Sequence, residues 1–137
     1  YMKKAREKGI EFKINIQDLP LINADGFRIE QMLVNLIDNS VRYTEKGEIS
    51  ICISYQKDSA TIKIEITDTG IGIPHQHLPR IFERFYVVDK ARSRQTGGTG
   101  LGLSIVKHIV LLHNGTIDVE SEENKGTKFT IHLPLKI

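Results

Sequence analysis

The chain has 137 residues, 39% of them hydrophobic and 26% charged, with a formal net charge of +2. These values describe one ordinary globular domain with enough material for a real core, and they exclude a disordered chain. They also exclude the basic stripe expected of a nucleic-acid binder, since only Lys3, Lys4, Arg6 and Lys8 cluster, as at a solvated helix end.

Residues 1–9 read as the remnant of a preceding helix or linker, and 1–137 as a single domain without internal repeats. Residues 11–16 alternate through Phe12, Ile14 and Ile16, which predicts a strand. Asp25 reads as a helix N-cap. Ile29, Met32, Leu33, Leu36, Ile37 and Ser40 then follow helical spacing, ending near Tyr43 before Glu45-Lys46-Gly47. Two strands follow, over 48–55 and 61–67, joined by a polar hairpin loop. The first holds the single cysteine, Cys52, which reads as a small packed side chain and suits a reducing compartment.

Asp68-Thr69-Gly70-Ile71-Gly72-Ile73-Pro74 is rich in turn residues. A short helix is expected over 78–85. Residues 87–99 carry Asp89, Lys90, Arg92 and Arg94 among few apolar neighbours and read as a long mobile loop, either a functional lid or a disordered segment. An apolar helix over 101–113 follows, with Gly115 expected as its left-handed cap after Asn114. Strands over 116–121 and 127–133, with Gly126 in the turn, close the chain. This order predicts an α/β (α+β) two-layer sandwich, a mixed sheet with helices packed on one face.

Four places carry chemistry. Asp68 continues the phase of Ile62, Ile64 and Ile66, so its carboxylate is aimed along the core face, where it needs a partner. Gly70 and Gly72 beside it allow close approach of a ligand, and an acceptor beside open backbone suits a flat base with an exocyclic amino group. On this residue alone, an Asp that simply caps a turn stays open. Asn35, Asn39 and Arg42 are spaced i, i+4, i+7 and form one stripe bordering the apolar helix face. Amide oxygens there suit a Mg²⁺ shared with phosphates; an ordinary polar helix edge is the alternative. Gly98, Thr99, Gly100, Leu101 and Gly102 run into a helix N-terminus, whose amides and dipole favour phosphate, or form only a flexible hinge. The spacing fits neither the dinucleotide-binding fingerprint nor a P-loop. Thr127 shares the phase of Phe129, Ile131 and Leu133 and so faces the same interior as Asp68.

Together and in this order the motifs resemble the ATP-binding domain of bacterial sensor histidine kinases, within the superfamily of gyrase B, Hsp90 and MutL. Residues 35–44 look like the N box, 68–73 the G1 box, 82–86 the F box, 98–103 the G2 box, and Gly126-Thr127 the last glycine box. The wording of 88–94 and 105–108 is similar to phosphate-regulon and cell-wall sensor kinases. The resemblance implies a Bergerat-type ATP-binding fold with a mobile ATP lid, binding ATP and Mg²⁺. It implies that Asp68 accepts from the adenine amino group and that Asn39 ligates the metal. Asn35 and Arg42 lie near the phosphates and Tyr43 against the base. Gly98, Gly100 and Gly102 carry the lid hinge and phosphate contacts, and Ile73, Phe82 and Phe85 support pocket and lid.

The family's water-activating members carry Glu where Asn35 stands. An amide is a poor general base, which favours phosphoryl transfer over hydrolysis. Two departures stand out: Arg42 replaces the usual Lys, and Val87 an expected Arg. None of His75, His77, His108, His113 and His132 opens an acceptor helix, so all five are expected to be structural or solvated. The implied partners are a separate dimerisation domain with the acceptor histidine and a downstream response regulator, with no nucleic acid and no direct membrane contact. No apolar run reaches the ~20 residues that span a bilayer and no signal peptide is seen, so the expected setting is a cytoplasmic domain of a membrane-anchored protein. Rival readings are a hydrolysing ATPase, an anti-sigma-type serine kinase, and a degenerate nucleotide- or partner-binding module.

Overall fold

The computed structural model describes residues 9–17, 25–86 and 102–135. Its elements are β1 (Ile10–Ile16), α1 (Gly26–Tyr43), β2 (Gly47–Gln56), β3 (Thr61–Asp68), a 3-10 helix (His75–Arg80), α2 (Gly102–Leu112), β4 (Thr116–Glu122) and β5 (Gly126–Pro134). The five strands form one sheet in the order β1-β2-β3-β5-β4. Only β1 and β2 pair in parallel, and α1 is the crossover that a parallel pair needs. All other pairs are antiparallel. The expected mixed sheet with a helical layer is therefore present.

Alternation decides which face is covered. On β3 and β5 every second residue is buried: Ile62, Ile64, Ile66 and Asp68 on one, Thr127, Phe129, Ile131 and Leu133 on the other. Met32 and Leu36 of α1 and Val106, Ile109 and Val110 of α2 fill the same core cluster. The opposite face is polar, with Glu65 bridged to Lys63 and Lys128 at 3.3 and 2.8 Å. Cys52 is half-buried and alternates with buried Ile51, so it lies on this polar face and outside the core.

The α1 start is as expected. Asp25 is the N-cap and its carboxylate accepts the Arg28 N–H at 3.3 Å. Its own N–H donates to Nε2 of His113, 3.0 Å away at the end of α2. The start of α1 thus touches the end of α2, and the two packed helices run antiparallel. Nε2 accepts here, so Nδ1 carries the proton and donates to the Ile109 carbonyl at 2.9 Å.

Two local expectations are corrected. The short helix lies at His75–Arg80, earlier than the expected 78–85, and is 3-10 in type. Pro79 has no N–H to continue an α ladder, and Phe85 sits in the left-handed region at φ 65°. The left-handed cap of α2 is Asn114 (φ 57°), not Gly115. Bonds from Asn114 N to Leu111 O and from Gly115 N to Val110 O (3.0 and 2.9 Å) form a Schellman motif with Asn114 at the special position. Gly115 is needed for space, since a Cβ there would lie 2.4 Å from the His132 carbonyl oxygen.

His113→Leu removes an acceptor and a donor at once while keeping an apolar volume. It is expected to lower stability by about 1–3 kcal/mol, read as a lower urea midpoint at unchanged m. Asn114→Gly should be neutral or stabilising by up to about 1 kcal/mol, because glycine meets no penalty at positive φ.

Candidate functional site

The buried row of β3 ends in a carboxylate. Asp68 is only 4% exposed, paired in register with Ile49 on β2 and Thr127 on β5. The Gly70 N–H donates to its Oδ1 at 2.9 Å, and the Thr127 N–H lies close enough to favour the charged form. Burial outweighs these donors and pushes the Asp68 carboxyl up from 3.8 to about 6. The Ser40 hydroxyl lowers it slightly, although its Oγ makes no hydrogen bond of good geometry.

Three loops converge on this residue, and glycines are what let them do so. A Cβ at Gly70 would fall 2.2 Å from the Tyr43 carbonyl oxygen, and one at Gly72 (φ 72°) 2.0 Å from that of Glu122. A Cβ at Gly126 (φ 128°) would fall 2.0 Å from the Asp68 carbonyl oxygen itself. The loop after β3 is thereby clamped between the end of α1 and the β4–β5 hairpin. The Ile71 N–H donates to the Tyr43 carbonyl at 3.0 Å, and the Asn124 N–H to the Ile71 carbonyl at 2.7 Å. What approaches closely at Gly70 and Gly72 is thus the protein's own backbone.

Ser121 completes the clamp. Its Oγ accepts the Ile73 N–H at 2.7 Å, donates to the Gly126 carbonyl at 2.9 Å and lies 2.8 Å from Thr127 Oγ1. Sequence reasoning missed it. Its only signal is its phase with Ile117 and Val119 on β4. Ile73 is half-buried against the core and Phe82 stacks edge-on against Phe129, with centroids 6.2 Å apart. Phe85 was expected as a second support, but it is 65% exposed in its left-handed conformation.

On α1, Asn35, Asn39 and Arg42 are half-buried along the border of the apolar face, as their spacing requires. Asn35 Nδ2 is enclosed without a hydrogen-bond partner among the described residues. Arg42 pairs with Asp38 one turn back at 3.0 Å. Tyr43 is half-buried at the helix end. Because α2 runs antiparallel to α1, its N-terminus at Gly102 lies toward the end of the molecule that holds Asn39 and Asp68. A Cβ at Gly102 would meet only open space. Gly98, Thr99, Gly100, Leu101 and the expected lid lie outside the described residues.

The structure thus brings Asp68, Gly70, Gly72, Ile73 and Thr127 together at one end of the sheet, below the C-terminal half of α1. An enclosed acceptor, two amides and a helix N-terminus at one end can receive a flat polar ring and an anionic tail.

Comparison with known proteins gives that arrangement its family. Residues 24–137 match the family described as histidine kinase-, DNA gyrase B- and HSP90-like ATPase. The chain is 45% identical over 134 residues to the sensor histidine kinase YclK of Bacillus subtilis (strain 168), covering 97% of this chain and 28% of that protein. It is 44% identical over 134 residues to the sensor protein SrrB of Staphylococcus aureus (strain NCTC 8325 / PS 47), covering 98% and 23%. The chain therefore spans about a quarter of the length of the curated relatives it matches. Among solved structures, the mycobacterial sensor histidine kinase MprB superposes with a TM-score of 0.82 at 30% identity, covering 98% of this chain and 90% of that one. Full-length ShkA in complex with AMPPNP gives 0.82 at 34%, covering 96% and 27%. With family match, curated relatives and superposed structure in agreement over nearly all of its length, the chain belongs to the histidine kinase-, gyrase B- and HSP90-like ATPases, as the ATP-binding catalytic domain of a bacterial sensor histidine kinase.

Proposed function

We propose that this domain binds Mg-ATP at the Asp68 end of the sheet and donates the γ-phosphoryl group to a histidine on a separate dimerisation domain of the same kinase. The observation that carries the reading is the enclosed Asp68 carboxylate, held by the Gly70 N–H and left without a cationic partner among the described residues. Such a group is satisfied by an amino donor entering the pocket, which is what adenine offers. Tyr43 closes the pocket beside the base, and Thr127 holds the β5 side of its floor.

Asn39 supplies the amide oxygen for the metal. An amide oxygen is a hard ligand that suits Mg²⁺, which is commonly held by few protein oxygens plus substrate phosphates and water. When bound, the metal neutralises phosphate charge. Asn35 and Arg42 position the phosphates, while Gly98, Thr99, Gly100, Leu101 and Gly102 wrap them at the N-terminus of α2. Asn35 holds the place where a general base would activate water, so transfer to a partner side chain is favoured over hydrolysis. His75 Nε2 lies 3.0 Å from the Ser121 carbonyl, His77 meets the Tyr86 hydroxyl and His113 ties the helix ends. None of the five histidines opens an acceptor helix, so the acceptor is proposed to lie on a separate dimerisation domain, with a response regulator downstream. Among the described residues no helix is long and apolar enough to cross a membrane. The parent kinase is proposed to be membrane-anchored, with this domain on the cytoplasmic side.

Calorimetric titration with Mg²⁺ and ATP should show saturable binding by the parent domain and at least about a hundredfold weaker binding by Asp68→Ala, the loss of a charge-assisted bond and its enclosed partner. Equal affinity in both would sink the adenine assignment.

Asp68 should also cost stability when no nucleotide is bound. Its folded pKa of about 6 lies above the ordinary 3.8, so its contribution is most favourable below the lower value and is lost as pH rises through the upper one. At pH 7 the penalty is on the order of 3 kcal/mol at most. Asp68→Asn is thus expected to melt higher than the parent at pH 7, with the difference shrinking toward pH 4, while binding ATP far more weakly. A lower melting temperature for the variant at pH 7 would overturn this.

A further inference from the structure

On α1, Met32, Leu36 and Ser40 are spaced i, i+4, i+8 and are all fully buried against the sheet. On β3, Ile62, Ile64, Ile66 and Asp68 form the facing row. Each row is apolar until its last member, and both last members are polar. They also end at the same place. The loop after Asp68 is fastened to the end of α1 by the Ile71 N–H to Tyr43 carbonyl bond, and Gly70 lies against the same carbonyl. Ser40, one helical turn before that anchor, therefore sits over Asp68.

Ser40 is 0% exposed and its Oγ has no hydrogen-bond partner among the described residues. A buried hydroxyl left in that state is costly, and packing alone would be served better by alanine. The Ser40 hydroxyl lies near enough to Asp68 to favour its ionised form, although the two make no hydrogen bond of good geometry. The other influences on Asp68 are burial and the Gly70 and Thr127 N–H groups, with no charged side chain among them. Arg42 and Asp38, the charged pair on the same stretch of α1, are held to each other at 3.0 Å.

We propose that Ser40 is a specificity-determining residue of the base pocket: its enclosed hydroxyl donates to Asp68, directly or through one enclosed water, and holds that carboxylate as an acceptor, so that a 6-amino purine is taken in preference to a 6-oxo purine. The chemistry of the discrimination is simple. An ionised carboxylate accepts from an amino group and is repelled by a carbonyl oxygen. Once protonated, it donates to the carbonyl instead, and the preference shrinks. Ser40 is a positioning residue in this scheme, acting through Asp68. The inference rests on the reading of Asp68 as the base acceptor.

The test uses this domain and Ser40→Ala, with two readouts. The first needs no nucleotide: the side-chain carboxyl carbon of Asp68 is titrated by NMR in the unliganded protein. Its midpoint should rise in Ser40→Ala, whereas an unchanged midpoint overturns the proposal. The second is the affinity for ATP and for GTP at pH 7 with Mg²⁺. The ATP preference should fall about fivefold or more in the variant, the loss of one hydrogen bond to a charged group. An equal preference in parent and variant overturns the proposal, even if both bind ATP well. If the parent binds neither nucleotide, the adenine reading fails and the proposal falls with it, a result distinct from the previous one. A thermal melt establishes that Ser40→Ala is folded. If it is not, Ser40→Cys keeps the volume, weakens the donor and is read in the same way.

Discussion

A carboxylate at the end of a buried strand row is the constraint around which this end of the molecule is arranged. Asp68 occupies a position that alternation would give to another isoleucine. Ionised and enclosed, it requires donors from every side that touches it. Backbone supplies them: the Gly70 N–H donates directly, and the Thr127 N–H lies close enough to favour the charge. Backbone donors reach a side chain on a central strand only if neighbouring loops are drawn inward, and that requirement propagates outward. The loop after β3 must fold back against α1, and the β4–β5 hairpin must lie against the Asp68 backbone. Both approaches are closer than any Cβ would allow. Glycines at 70, 72 and 126 are in this sense consequences of the aspartate.

That view changes the meaning of the glycine boxes. Read from sequence, Gly70 and Gly72 make room for a ligand. In the structure they make room for Tyr43 and Glu122 main-chain oxygens, and the ligand pocket is what remains once these backbones are locked. Ser121 belongs to the same lock, since one hydroxyl joins the Ile73, Gly126 and Thr127 segments. Pre-organisation of this kind means that a nucleotide need not order the pocket floor when it binds. Gly102 is different in kind: among the described residues no atom outside its own helix comes near its missing Cβ. Its openness is at the first turn of α2, where a phosphate is favoured by the exposed amides and the helix dipole.

How much of this was legible beforehand follows from the type of interaction. Period-two and period-3.6 patterns fixed the strands, both long helices and the burial of Asp68 and Thr127, because those patterns are one-dimensional images of the core. The Asp25 cap was legible for the same reason. The misreadings were of positions where tertiary contact decides. Asn114 and Gly115 are both able to adopt positive φ, and only the His132 carbonyl pressing on Gly115 shows which of them is chosen for space and which for conformation. Pro79 and left-handed Phe85 displaced the short helix toward the N-terminus. Ser121 carries no motif at all; its importance is that three backbone segments meet at one hydroxyl.

The helices then explain why the polar groups gather at one end only. His113 fastens the start of α1 to the end of α2, which fixes the helices antiparallel and leaves a satisfied, purely structural junction at that end. At the opposite end the same antiparallel arrangement points the N-terminus of α2 along α1 toward the end of the molecule that holds Asn39, Ser40 and Asp68. Here the polar groups are not mutually satisfied: Asn35 Nδ2 and Ser40 Oγ are enclosed without partners among the described residues, and burial pushes the Asp68 carboxyl up to about 6. Both ends contain buried polar atoms, but among the described residues the unpartnered ones lie at the Asp68 end. A fold that closes its hydrogen bonds at one end and leaves them open at the other has separated the work of holding the layers together from the work of receiving a ligand. Substitutions at the His113 junction should consequently act on stability, while those at the open end should act first on binding.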